Sequence, residues 1–190
     1  MPSAHNPRMV VLLRGVNVGG VRLTMADFKA ALETLGCTEV VTYIASGNAV
    51  ARTPPAAKPL TASAAAAHWQ TTIAATLVEH CGIDVSVVVR SPVELHDALS
   101  TTPWPADDHP PKLLHLGFLQ SELHPDAEAR LASTDVRPDA YWLTPRTIYQ
   151  RYESGMARSR LATLLTERLL GTPITTRNVL TVQKLIELAS

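Results

Sequence analysis

The stretch Met9-Val10-Val11-Leu12-Leu13, followed by Arg14-Gly15-Val16-Asn17-Val18-Gly19-Gly20, restricts the fold more than any other part of the chain. A short apolar run reads as a buried strand. It ends in a charged Arg14 and a turn holding three glycines. Glycine supplies positive φ and lets a backbone approach a ligand closely. A strand that delivers an arginine to a glycine-rich loop ahead of a helix is a common way to build an anion site. The stretch therefore predicts a strand–loop–helix start and marks Arg14, Asn17, Gly19 and Gly20 as candidate ligand residues. The ordinary alternative is a turn that needs positive φ, with Asn17 tolerating the left-handed region. The loop is neither a P-loop, since it lacks Gly-Lys-Ser/Thr, nor a GxGxxG turn.

The rest of the chain reads as alternating strands and helices. A helix is expected over Thr24–Leu35, with Thr24 as its cap, Met25, Phe28, Leu32 and Leu35 on one face, and Gly36 beyond its end. A second strand over Glu39–Ala51 is interrupted by Ser46-Gly47-Asn48, which reads as a bulge. After the loop Thr53–Pro59 comes a helix over Ala62–Cys81, whose alanine-rich start is high in helix propensity. Its inward stripe is Trp69, Ile73 and Leu77. A strand over Ile83–Arg90 meets Ser91-Pro92-Val93-Glu94, a capping box with proline at the first helical position. Beyond the connector Thr101–Pro111, the second half reads as a strand (Lys112–Leu119), a helix (Asp126–Ala132) and two strands near Ala140–Leu143 and Thr147–Gln150. Helices over Ala157–Leu170 and Arg177–Leu188 complete it.

These elements predict an α+β protein of two ferredoxin-like, βαβ-based halves with helices packed on mixed or antiparallel sheets. The halves are residues 1–100 and 112–190, joined by the proline-rich residues 101–111, either as separate subdomains or as one compact unit. Val11-Leu12-Leu13-Arg14-Gly15 and Val87-Val88-Val89-Arg90-Ser91 look alike and hint at an internal repeat.

Charge and composition narrow the function classes. Lys plus Arg and Asp plus Glu are both 17, so the net charge is zero. Its distribution is uneven: basic residues predominate before residue 53 and after residue 140, and acidic ones between. No apolar run is long enough to span a membrane, and the start of the chain does not read as a signal peptide, so a cytoplasmic location is expected. Cys37 and Cys81 sit outside any zinc spacing and read as inert thiols. The seven histidines make no metal pair, and Asp107-Asp108-His109 reads as a solvated loop. His115 reads as a core or sheet-face residue. No metal and no cofactor is expected. Aromatics are only 5% of the chain, which argues against a base-stacking RNA-recognition sheet.

Three further segments could carry chemistry. Tyr43-Ile44-Ala45-Ser46-Gly47-Asn48 offers Tyr43, the Ser46 hydroxyl, the Gly47 N–H and the Asn48 amide; the alternative is a strand kink with a local side-chain cap. Ser154-Gly155-Met156-Ala157-Arg158-Ser159-Arg160 and Thr175-Thr176-Arg177-Asn178 each lead into an expected helix. Each pairs a hydroxyl cap with an arginine, making Arg158, Ser159, Thr176, Arg177 and Asn178 candidate anion ligands.

These same segments resemble DUF1697, a bacterial family of domains of unknown function. The resemblance is carried by Leu12–Gly20, Thr42–Asn48, Arg158–Leu161 through Gly171-Thr172-Pro173, and Thr175–Asn178. It runs over nearly the whole chain and implies an α+β fold of ferredoxin-like character, with no established activity. The chain has Val179-Leu180 where the family carries Trp-Asn, Arg160 where it carries Lys, and Ala45 where it carries Gln.

The expected function is binding of a small phosphate- or carboxylate-bearing ligand in a cleft between the halves. Arg14, Arg158 and Arg177 would hold the anion, and Asn17, Ser46 and Asn48 would orient it. No reaction is assigned. The alternatives are a nucleic-acid-binding protein using its basic ends as one face, and a homo-oligomeric structural protein. The oligomeric state is left open.

Overall fold

The structure is a computed structural model describing residues 6–55, 60–104 and 108–190. Parts of the expected Thr53–Pro59 loop and of the Thr101–Pro111 connector, Asp107 included, lie outside the described residues. The chain divides into two compact units, Met1–Leu95 with Leu185–Ser190, and His96–Lys184.

The first unit contains β1 (Arg8–Leu13), α1 (Met25–Thr34), β2 (Thr38–Tyr43), β3 (Asn48–Arg52), α2 (Ala62–Cys81), β4 (Val87–Arg90) and the start of α3 (Pro92–Ser100). Its strands form an antiparallel sheet in the order β2-β3-β1-β4. The second contains β5 (Leu114–Leu119), α4 (Ala127–Ala132), β6 (Ala140–Leu143), β7 (Thr147–Arg151), α5 (Arg160–Leu164), α6 (Glu167–Leu170), β8 (Ile174–Asn178) and most of α7 (Val179–Leu188). Its sheet, also antiparallel, has the order β6-β7-β5-β8. Both halves thus run β-α-β-β-α-β with the same strand order, the ferredoxin-like arrangement. The repeat equates β1 with β5. The sequence echo of Val11–Gly15 and Val87–Ser91 has a different origin, because β1 and β4 are neighbours in one sheet, with Val11 opposite Val89.

Local chemistry explains most boundaries. Thr24 caps α1 by accepting from Asp27 N at 3.0 Å, and Phe28, Ala31 and Leu32 face the core. Thr61 does the same for α2 through Ala64 N at 3.2 Å, and Ile73 and Leu77 are fully buried. The capping box of α3 is reciprocal: Ser91 N donates to Glu94 Oε2 at 2.7 Å and Glu94 N to Ser91 Oγ at 3.1 Å. The edge strand β4 is shielded by α2, whose buried Gln70 accepts from Val89 N at 3.1 Å. The opposite edge strand, β2, bulges at Glu39, where φ is 51°. Its carboxylate there bridges Arg8 at 3.0 Å and Arg52 at 2.8 Å. Arg8 Nη1 also donates to the carbonyls of Leu188 and Ser190.

Four expectations are corrected. The strand over Glu39–Ala51 is two strands, β2 and β3, reversed by residues 44–47, and the bulge lies at Glu39 instead. Positive φ at Ile44 and Gly47 turns the chain back, which a bulge would not do. The strand over Ile83–Arg90 is confined to Val87–Arg90. The helix over Ala157–Leu170 is broken into a 3-10 turn (Met156–Arg158), α5 and α6. Leu165 leaves helical geometry at ψ 62°, and Thr166 starts a new cap by accepting from Leu169 N. Residues 174–178 are a strand, not a loop leading into a helix beginning at Arg177. Ile174, Thr175 and Thr176 are β-branched and pair with β5.

One half-buried group gives a pH prediction. His115 of β5 stacks edge-on against Tyr152, ring centroids 5.1 Å apart, and its Nδ1 is buried with no hydrogen-bond partner. Burial lowers its pKa from the ordinary 6.5, against a smaller opposing effect of a backbone hydrogen bond at Leu113. Below that ordinary value the unfolded chain binds a proton that the folded protein resists, so stability falls as pH falls through this range and is unaffected above it. Urea unfolding at pH 7.5 and 5.5 should show a smaller acid-side loss for His115→Gln than for the wild type. An equal loss would exclude His115 as the source.

Candidate functional site

In the first unit the two candidate segments are packed against each other. Asn17, at φ 58°, directs its side chain into the backbone. Its Nδ2 donates to Leu23 O at 3.0 Å and to Ala45 O at 2.7 Å, and its Oδ1 accepts from Leu23 N at 3.1 Å. The loop after β1 is thereby fastened to the β2–β3 turn. Asn48 is fully buried and donates to Tyr43 O at 3.0 Å and Ser46 Oγ at 2.9 Å, closing that turn from within. Gly47 O accepts from Leu13 N at 2.8 Å. Arg14 is half-buried and donates its backbone N–H to Ser86 O at 3.0 Å. Gly19 and Gly20, both at positive φ, have open space where a Cβ would stand.

The polar side chains expected to orient a ligand here bond within and between the two loops: Asn17 and Asn48 to backbone carbonyls, and Asn48 also to the Ser46 hydroxyl. The turn also carries an unusual residue: Ile44 has φ 49° and is 49% exposed. A β-branched side chain in the left-handed region is a strained conformation.

In the second unit Arg158 and Ser159 line a polar pocket of about 180 Å³ together with Arg137, Asp139, Ser154 and Arg160. Asp139 organises it. Its Oδ2 accepts from Ser159 Oγ at 2.6 Å and its Oδ1 from Glu153 N at 2.9 Å. Ser159 Oγ in turn accepts from Ala162 N at 3.0 Å, so its proton and one lone pair are engaged. Arg137 is clamped by Asp135 through Nε at 2.9 Å and Nη2 at 2.7 Å. That hydrogen bonding, reinforced by the charges of Arg137 and Arg160, holds the Asp135 carboxyl well below its ordinary range. Among the described residues the exposed Arg158 guanidinium makes no hydrogen bond or ion pair.

Thr176, Arg177 and Asn178 lie on β8 and are not walls of that pocket. Arg177 is 9% exposed and donates Nη1 to Thr175 Oγ1 at 2.8 Å and Thr176 O at 2.9 Å. Burial lowers its pKa to about 10. Asn178 caps α7 by accepting from Thr181 N at 2.8 Å. Sequence reasoning missed Arg137 and Asp139, which no local spacing connects to Arg158. Burial raises the Cys37 thiol to about 11, and Cys81 is raised by burial and by Asp27. Among the described residues no group of three or more His, Cys, Asp or Glu side chains could hold a metal ion, and no helix is long and apolar enough to cross a membrane.

The fold is similar to that of the conserved bacterial protein SP0830 from Streptococcus pneumoniae. The two are 20% identical, with a TM-score of 0.74, over 97% of this chain and 99% of that one. No curated protein matches the chain. Residues 7–149 match the family described as protein of unknown function, DUF1697. That span holds Arg14, Asn17, Ser46 and Asn48 and ends before Arg158. Covering well over half of the sequence, it establishes that this chain belongs to the DUF1697 family.

Proposed function

We propose that this protein binds a small anion, a phosphate or carboxylate group, at the arginine pocket of the second unit. The observation that supports this reading is the unengaged Arg158 guanidinium beside Arg137 and Arg160. Asp135 and Asp139 offset part of the charge of these three arginines, but Asp139 is committed to Ser159 and Glu153 N, and Asp135 to Arg137. A positive charge with a planar hydrogen-bonding fork is left for an incoming oxyanion. Ser159 does not act as a nucleophile in this reading. It holds Asp139 and the start of α5 in place.

Calorimetric titration with inorganic phosphate at low salt tests the proposal. The wild type is expected to show saturable one-to-one binding. Removing a charge-assisted contact of about 1.5–3 kcal/mol, by Arg158→Gln, should weaken binding about tenfold or more. Arg158 is exposed and makes no side-chain bond, so the melting temperature should stay within about 2 °C. Absent saturation, or wild-type affinity in the variant, would refute the proposal.

A further inference from the structure

The stripe that α2 turns toward its sheet changes character along its length. Ile73 and Leu77 are large and fully buried. In the turns before them the helix carries Ala62, Ala65, Ala66 and Trp69. Alanine favours the helix but fills little space. The start of α2 therefore stands off from the sheet around a cavity of about 310 Å³, with Met9 of β1 and Val89 of β4 among its walls. The cavity opens to solvent at the helix start, where Leu60 and Ala62 are exposed, so a ligand can reach its apolar wall.

We infer that this cavity is a binding site for a neutral, two-ring aromatic molecule. Three observations carry the assignment, and none of them rests on the anion pocket. The first is size. An apolar cavity of about 150 Å³ takes one benzene, so roughly twice that volume admits a fused pair of rings. The second is the wall. Half-buried Trp69 lines the cavity and offers its indole for offset stacking, with the ring edge-on to the adjacent His68 at 5.5 Å between centroids.

The third is charge. Arg8 at the rim is paired with Glu39 at 3.0 Å. Arg90, 2% exposed, donates to Val89 O at 2.8 Å, and Glu94, of opposite sign, also lines the cavity. Arg8 is thus engaged by Glu39 and by the Leu188 and Ser190 carbonyls, and the buried Arg90 by its own backbone, while Glu94 adds a negative charge to the wall, so no unengaged cation awaits an ionised headgroup.

The test uses the full chain with two probes of one shape, naphthalenemethanol and naphthoate, followed by NMR. The neutral probe is expected to bind saturably, with intermolecular NOEs from its ring protons to the Met9 methyl and the Trp69 indole. Naphthoate should bind about tenfold more weakly or less, because its carboxylate would be desolvated without a free counter-charge. Ala65→Phe, at a half-buried position on the cavity wall, should abolish neutral-probe binding while leaving the fold intact. No saturable binding, NOEs placing the probe elsewhere, or naphthoate binding as tightly as the alcohol would each overturn the inference. Should Ala65→Phe fail to fold, the wild-type NOEs decide alone.

Discussion

Replacing Gly47 with alanine is expected to destabilise the protein by about 2–5 kcal/mol. Two costs add. The residue sits at φ 77°, where a side chain clashes with its own backbone. The new Cβ would also lie 2.6 Å from Val16 Cγ2 and 2.7 Å from Leu13 Cβ, both core side chains with no room to move. Gly19→Ala is the matched control: φ is 58°, but nothing lies within 4 Å of the added carbon, so only the backbone cost of about 1–2 kcal/mol applies. Urea unfolding of the two variants should separate them clearly. Equal losses would mean that the β2–β3 turn is not wedged against β1 as described.

Asn17 gives the second large effect. Alanine there removes three hydrogen bonds and the residue's tolerance of the left-handed region, a loss of about 2–4 kcal/mol. Asn17→Asp is the sharper variant. It keeps the acceptor for Leu23 N but sets a carboxylate against the carbonyl oxygens of Leu23 and Ala45, so at neutral pH it should be at least as damaging as alanine. Phosphate affinity should be unchanged in any fraction that remains folded, since the proposed anion pocket lies in the other unit. A stable Asn17→Asp variant that has lost phosphate binding would reverse the assignment and make Asn17 a ligand residue.

These cases show what is readable in the sequence. The bounds of α2, the capping box of α3 and the β6 and β7 strands follow from caps, glycines and periodicity, because those signals are local. Strand β8 is hidden because Thr175-Thr176-Arg177-Asn178 has the residue types of a helix start, and only its pairing with β5 makes it a strand. The break at Leu165 is hidden because Leu161, Leu164, Leu165 and Leu169 keep helical spacing across it.

The site is legible as residue types and opaque as roles. Asn17 and Asn48 look like ligand-orienting amides, yet their partners are carbonyls up to 28 residues away and a neighbouring hydroxyl. Arg177 looks like an anion ligand at a helix start, yet it is a buried strand residue bonded to its own neighbours. Arg158 lies in a pocket that Arg137, 21 positions earlier and invisible to any local pattern, also lines.

Amide chemical shifts during a phosphate titration test the anion reading most directly, because the two arginine-bearing loops lie in different units. Saturable shifts confined to the amides of Ser154, Gly155 and residues 158–160, lost in Arg158→Gln, are the predicted result. Shifts centred instead on residues 14–20, or none in the second unit at saturating phosphate, would contradict it.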